Sequence, residues 1–511
     1  MNKTIIQITK NVVSSWGMSI LQAGIGLVMV PFLLGKMGKE GYGVIGVLMA
    51  IIGFSQIADL GLRAALNREL AEKVTHRDEV GFRSLSVSAL VLYIGIALIT
   101  ALTGAIFAPA LCSLFNVEGQ HYDLMVILLR TYAPFTVLLS FITPVFTAGI
   151  CSFMRYDIQN HVSMISNICI SLMLFVFLSL FDGNPLIAWS AVMAGGALLR
   201  LGLMAIFYRR ICFGGHISVR HLHFGSLMPL FRLGSSMYIL QLTNVLAQRV
   251  DPLIISRFLG LGGVALYQAG SKLPQLVRPI VMAGINQMVP LTTRFHVSGN
   301  QLREQQTLIL GTKYTLYLGG MFSAGMILFA DSFCHLWLFD KLGEDVQTVA
   351  LVLKMLAVIS LFNFAGGAQW PLVLGKKKIR FSIWLALTTS VFNVILSVYL
   401  VGFTNIGVAG VLVGTVMTEI VRRPIAAWYV SWLVGMKLRR YVMLAYVIPT
   451  IYILLLILLG RLVVSFSNLA DWGSLIVSGC VFGCGAMILL LGFEWRMARP
   501  HLLRVRDRLR A

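Results

Sequence analysis

EGYGVIGVLMAIIGFSQIADLGLRAALNRELAE, residues Glu40–Glu72, opens on glycines and a tyrosine, runs apolar, and stops at Asp59 and Arg63. About 20 predominantly apolar residues cross a hydrocarbon core as a helix, and residues 42 to 62 meet that length. Asp59 and Arg63 stand four apart on one face at the end of the span, where such a pair reaches the headgroups. A polar, amphipathic stretch continues from them through NRELAEK. The expectation is that they terminate the helix and fix its depth; a cytoplasmic gate is the second reading.

The rest of the chain is of the same kind. Of 511 residues, 58% are hydrophobic and only 12% charged, with mean hydropathy +0.85, which places the chain among all-α polytopic membrane proteins rather than soluble domains. Fourteen transmembrane spans are predicted, near 11 to 34, 42 to 62, 84 to 107, 124 to 147, 160 to 181, 186 to 207, 234 to 258, 264 to 288, 313 to 333, 347 to 373, 381 to 402, 408 to 432, 442 to 464 and 472 to 493. The first has Lys3 and Lys10 before it but is too long for a signal-peptide core and lacks a small-residue cleavage site, so it is read as a retained helix.

A formal charge of +21 would suggest nucleic acid in a soluble chain. Sorting the 41 basic residues by alternate loops instead puts 27 on one side and five on the other. By the positive-inside rule both termini face the cytoplasm, and no nucleic-acid partner is expected. The tail RMARPHLLRVRDRLR is read as a lipid-facing anchor. Seven cysteines and nine histidines show no even framework and no paired spacing on a helix face. Neither disulfide, metal nor cofactor is expected. Cys480 and Cys484, among the glycines of GCVFGCGAM, read as small packing residues.

The halves repeat. LGKMGKEGY at Leu34–Tyr42 returns as LGLGGVALY at Leu259–Tyr267, offset 225; FAPALCSLF at Phe107 matches FADSFCHLW at Phe329, offset 222; SNICIS at Ser166 aligns with FNVILS at Phe392, offset 226. Three matches in one order argue for two parallel six-helix repeats. They predict an N-lobe over 1–225, a C-lobe over 226–435, and two additional C-terminal helices with the basic tail over 436–511. An even number of spans per half gives both the same orientation, the parallel arrangement that some transporters use with a site between the lobes. GLGGVA at Gly260 fits a dinucleotide pattern, but the reading needs a βαβ unit and its neighbours are membrane helices. Gly410, Gly414 and the glycines near Gly320 read as close-packing positions.

Nine bases remain within or at the edges of spans: Arg130, Arg200, Arg232, Arg249, Lys272, Arg278, Lys354, Arg422 and Arg423. Each unpartnered charge costs roughly 2.5–3.5 kcal/mol at the centre of a helix on insertion scales, so each must face a hydrated interior or a partner. The clear acids within spans are Asp251 and Glu419. Ion pairing of Glu419 with Arg422 or Arg423, and of Arg249 with Asp251, would account for some of the bases. Two acids cannot neutralise nine. Arg130, Arg200, Arg249, Lys272, Arg278, Lys354 and Arg422 are therefore the candidate site for an anionic headgroup, and Asp251 and Glu419 the candidates for ion coupling.

YGVIGVLMAIIGFSQIADLGLRAALNRELA, the L-G-x-x-G-x-x-x-Y turn before it, and GKKKIRFSIWLALTTSVFNVILSVYLVGFTNIGVAGVLVGT at Gly375–Thr415 resemble the polysaccharide transporter family, the O-antigen and exopolysaccharide flippases of the multidrug/oligosaccharidyl-lipid/polysaccharide exporter superfamily. The resemblance covers the twelve-helix core. It implies a non-enzymatic flippase of the inner membrane that moves a polyprenyl-pyrophosphate-linked oligosaccharide by alternating access. The partners expected are that lipid-linked substrate, membrane lipid, and a polysaccharide polymerase with its assembly proteins. A multidrug antiporter of the same superfamily would need acids toward a cation, whereas this interior leans basic. A membrane glycosyl polymerase would need more external chain than the short loops offer. No P-loop motif is present.

The topology is checked by reporter fusions after Ala511 and within 181–185. They should report opposite compartments, the first cytoplasmic; a C-terminus found outside would overturn the scheme.

Overall fold

The structure, a computed structural model, describes residues 2–180, 182–213, 221–282, 285, 288–467 and 469–510, and their side chains except near the two ends and at scattered positions between 224 and 290. Lys3, Arg220, Arg232 and the tail from Arg496, all used in the charge count, lie outside the described side chains. Every regular element among the described residues is a helix. Ten stretches are long and apolar enough to cross a membrane. Val13–Asp59 and Gln301–Gly375 each hold two of the expected spans, and Arg249–Met282 joins the end of the seventh to the eighth. The expected twelfth, Ala409–Leu433, is helical but carries Glu419, Arg422 and Arg423, which keeps it out of the ten.

The chain packs as two compact units. The first holds Met1–Lys272 with Ala386–Gly414. Its helices are α1 (Asn2–Phe54), α2 (Leu62–Thr75), α3 (Glu79–Ile106), α4 (Ala108–Leu114), α5 (Tyr122–Arg130), α6 (Tyr132–Ser152), α7 (Tyr156–Leu180), α8 (Pro185–Ile211) and α9 (Met228–Gly270). The second holds Leu273–Leu385 with Thr415–Ala511. Between and within these segments run α10 (Lys272–Met282), α11 (Met288–Val297), α12 (Gln301–Leu342), α13 (Val346–Ala365), α14 (Gln369–Gly375), α15 (Arg380–Phe403), α16 (Ala409–Leu433), α17 (Leu438–Val442), α18 (Ile448–Phe466) and α19 (Trp472–Arg510).

Two of the long helices are broken at a single glycine. Gly38 in α1 has φ 71° and ψ 176°, and Gly260 in α9 has φ 72° and ψ −174°. A side chain cannot take that conformation without strain, so the break requires glycine. The two are 222 residues apart. The sequence match at offset 225 had paired Gly35 with Gly260; L-G-x-x-G offers two glycines, and the backbone uses the second one in the first half. At 222 the turn shares its offset with Phe107 and Phe329.

After its break, α1 lies against α9 of the same unit with no room to spare. A Cβ on Gly43 would run into the Leu261 carbonyl, one on Gly46 into Val264, and Gly262 sits under the stem of Lys39. Gly410 and Gly414 behave as expected of packing positions: a Cβ would stand 3.0 Å from Val401 and 2.8 Å from Ser397. Gly319 and Gly320 on α12 likewise receive Phe364 and Ile453. Cys480 and Cys484 do not follow this reading. Both are exposed, because α19 packs through Phe482 and Ala486, and the cysteines, four apart, lie on another face.

Outside the spans, Asp78 starts α3. Its Oδ1 accepts from the Gly81 N–H at 2.8 Å and its Oδ2 from Lys73 at 2.7 Å. The Lys73 hydrogen bond holds its carboxyl below the usual carboxylate range.

The close approach at Gly43 generates a stability test in detergent. Gly43→Ala forces a backbone shift and should cost roughly 1–3 kcal/mol, as overpacking does, seen as a lowered melting temperature. Gly24→Ala, where nothing lies within 4 Å, should not lower it.

Candidate functional site

The first unit places Asp59, Arg63, Arg130, Arg200, Arg249 and Asp251. Asp59 ends a tight turn, Ser55–Asp59, after which Leu60 and Gly61 take left-handed conformations at φ 52° and 75° and α2 begins. Asp59 is 3% exposed, and its Oδ2 accepts the backbone N–H of Arg63 at 3.3 Å. The helix stop read from the sequence therefore exists, as a cap. The side-chain pair does not form: Arg63 Nη2 donates to the Ser140 carbonyl at 3.3 Å, while Asp59 Oδ1 and Arg63 Nε are buried without partners. Arg200, exposed on α8, lies within electrostatic reach of Arg63. Arg130, the last residue of α5, is exposed.

Arg249 is partly buried and lies across Gly53 of α1, where a Cβ would stand 2.7 Å from its Cδ and Nε. Glycine there makes room for the arginine. Arg249 and Asp251 do not pair, since residues two apart on a helix point to different faces. Asp251 accepts instead from the Tyr267 hydroxyl at 2.8 Å. Tyr267 is the tyrosine of the repeated turn. Asp251 and Tyr267 lie nine residues before and seven after the Gly260 break, so the helical hairpin brings them level. The hairpin spacing was the available signal.

Lys272, partly buried, begins α10, and Arg278 is exposed on the same helix. In the second unit Lys354 is held by an acid that the sequence reading did not count: its Nζ donates to both carboxylate oxygens of Asp331 on α12, at 2.7 and 2.6 Å. Glu419, 8% exposed, receives two guanidiniums. One oxygen takes Arg422 and the other takes Arg423 Nε at 2.6 Å. Arg423 also reaches Asn363 at 3.0 Å, over Gly366, where a Cβ would meet its Nη1. Pairing of Glu419 with both arginines is thus formed, one carboxylate against two positive charges. Among the described residues, no acid pairs with Arg130, Arg200, Arg249, Lys272 or Arg278.

Lys313, counted from sequence among the loop bases, is instead 3% exposed within α12 and pairs with Glu494 of α19 at 2.6 Å. Its ammonium stands 5.9 Å over the Tyr314 ring and 5.5 Å over that of Tyr317. Within the second unit, α18 and α19 form an apolar cavity of about 510 Å³ lined by Leu456, Gly460, Val463, Val481, Phe482 and Leu489 among others.

The sequence pattern of the polysaccharide biosynthesis protein family matches residues 8–296. A Shigella flexneri protein named "Putative O-antigen transporter" is 27% identical over 256 residues, 48% of this chain and 57% of its relative, so the match spans little more than half of that protein's length. Among solved structures, "Lipid II flippase MurJ, inward closed conformation" superposes with TM-score 0.73 at 14% identity, covering 96% of this chain and 99% of that one. An inward-facing multidrug resistance MATE family transporter of the MOP superfamily superposes with TM-score 0.65 at 18% identity, covering 82% and 94%. At these identities the likeness establishes the fold. With more than half of its length matched by the family pattern, the chain belongs to the polysaccharide biosynthesis protein family.

Proposed function

We propose that this protein is a flippase that carries a polyprenyl-pyrophosphate-linked oligosaccharide across the cytoplasmic membrane by alternating access, for O-antigen, capsule or exopolysaccharide assembly. The observation that carries the proposal is the set Arg130, Arg200, Arg249, Lys272 and Arg278, bases in or beside membrane helices with no acid paired to them among the described residues. An unpartnered guanidinium or ammonium in a span calls for an anion, and a pyrophosphate meets an arginine through two directed bonds. The name of the Shigella relative points the same way. In this reading the lobes are 1–225 and 226–435, both termini are cytoplasmic, and a polymerase and assembly proteins receive the product. The apolar cavity of α18 and α19 would take part of the isoprenoid chain.

Alanine at Arg200, Arg249, Lys272 and Arg278 together should abolish export of the lipid-linked sugar while membrane insertion persists. Arg→Lys at the same positions should be milder and Arg→Glu worse. Export at the normal rate from the inserted quadruple alanine variant would overturn the headgroup site.

Coupling is assigned to Asp251 and Glu419, and the geometry separates them. Asparagine at 251 still accepts from Tyr267, whereas glutamine at 419 leaves two partly buried guanidiniums without their carboxylate, a loss of up to about 3–5 kcal/mol, the cost when a buried pair is broken. Asp251→Asn should therefore insert normally and remove the response of vesicle transport to an imposed pH gradient. Glu419→Gln should lower protein stability as well. An unchanged pH-gradient response in Asp251→Asn would remove Asp251 from the coupling role.

A further inference from the structure

We propose that the surface formed by the start of α15 and the end of α16 is a binding site for an anionic phospholipid headgroup. It is independent of the substrate site. On α16, Trp428 and Trp432 are 53% and 67% exposed and four residues apart, hence on one face. Phe381 of α15 joins them: its ring meets Tyr429 at 4.3 Å and Trp428 edge-on at 6.4 Å, and Tyr429 stacks on Trp432 at 6.1 Å. The result is an open aromatic ladder. Immediately beyond one end of it stand Lys377, Lys378 and Arg380, all exposed.

The position of these bases is built rather than incidental. Lys377 holds φ 56°, a left-handed backbone unfavourable for a residue with a side chain. It caps α14: its N–H donates to the Leu374 carbonyl at 3.0 Å and that of Lys378 to the Val373 carbonyl at 3.2 Å. The Lys378 carbonyl accepts the Tyr429 hydroxyl at 2.8 Å, fixing the loop to the ladder. Lys376 turns inward, pairing at 2.7 Å with Glu304, which is 2% exposed and also meets His296 at 3.2 Å. Lys376 further donates to the Leu433 carbonyl at the end of α16, 3.2 Å away. The Lys376 ammonium thus ties the basic loop both to the buried Glu304 of α12 and to the end of the tryptophan helix.

The chemistry selects the occupant. Tryptophans with an apolar ring and a polar N–H favour the depth of the headgroups, and bases there attract phosphate. An apolar protein partner covering the tryptophans would leave three cations to be desolvated without a counter-charge. A phosphodiester headgroup satisfies both halves, its phosphate on the bases and its acyl chains along the rings.

The test uses the full chain in phosphatidylcholine nanodiscs with and without phosphatidylglycerol, released gently and weighed by native mass spectrometry. Wild type should retain phosphatidylglycerol. Lys377→Gln/Lys378→Gln/Arg380→Gln should weaken retention by on the order of 100-fold, at about 1 kcal/mol per base, and Trp428→Ala/Trp432→Ala should weaken it without changing its salt dependence. Lys377→Arg/Lys378→Arg should keep it. Neutralising an equal number of exposed bases of the first unit, Arg68, Arg77 and Arg209, should leave retention intact. Equal loss from that control set would make the effect generic charge and overturn the site, as would unchanged retention in the triple glutamine variant. A second copy of the chain held through Trp428 and Trp432 in place of lipid would overturn it too.

Discussion

Hydrocarbon offers a peptide group no hydrogen bond, and the whole structure follows from that constraint. Each crossing must close its own backbone bonds as a helix. Departures are confined to places where the chain can meet their cost. The two sharpest, Gly38 and Gly260, are single residues without a Cβ in nearly identical conformations, and they fold α1 and α9 so that glycines of one helix meet the backbone of the other. Lipid tails are as apolar as leucine, so helices here gain little from hydrophobic sorting and must gain from contact. Gly43 against the Leu261 carbonyl, Gly319 against Phe364 and Gly196 against Ile170 are among the places where that contact is closest.

The same constraint governs charge. A lone ion in a span is expensive, and removing one member of a buried pair strands the other. The chain resolves this in two ways. Lys354 with Asp331, Lys313 with Glu494, and Arg422 and Arg423 with Glu419 are internal solutions, each holding one helix to another or stiffening a single turn. Five bases have no such solution among the described residues. Unlike Lys354, they keep a positive charge that no described acid offsets. Glycines opposite arginines belong to the same economy: Gly53 under Arg249 and Gly366 under Arg423 clear the space that a long cation occupies.

Much of this was legible in sequence because it depends on composition and spacing. Apolar runs of bilayer length, the bias of bases to alternate loops, and the recurring turn point to an all-helical membrane protein built on a repeat. The stop at Asp59 and the packing glycines at 410 and 414 were visible as local signals, and the pairing of Glu419 with the arginines after it follows from the pitch of a helix.

What sequence left undetermined are matters of partner and direction. Arg249 and Asp251 are neighbours in the chain, yet one lies over Gly53 and the other accepts from Tyr267, because helix geometry turns them apart and a hairpin brings in a residue sixteen positions away. Lys313 reads as a loop cation until α19 supplies Glu494, and Lys354 as an unpaired base until Asp331 reaches it from the preceding helix. By itself the sequence determined that the chain is built from apolar helices of membrane-crossing length, since that follows from transfer out of water. Only the tertiary structure decided which charges are neutralised and which stay free, since electrostatic pairing acts through space over a few ångströms, and residues far apart in the chain become neighbours only once the helices have packed.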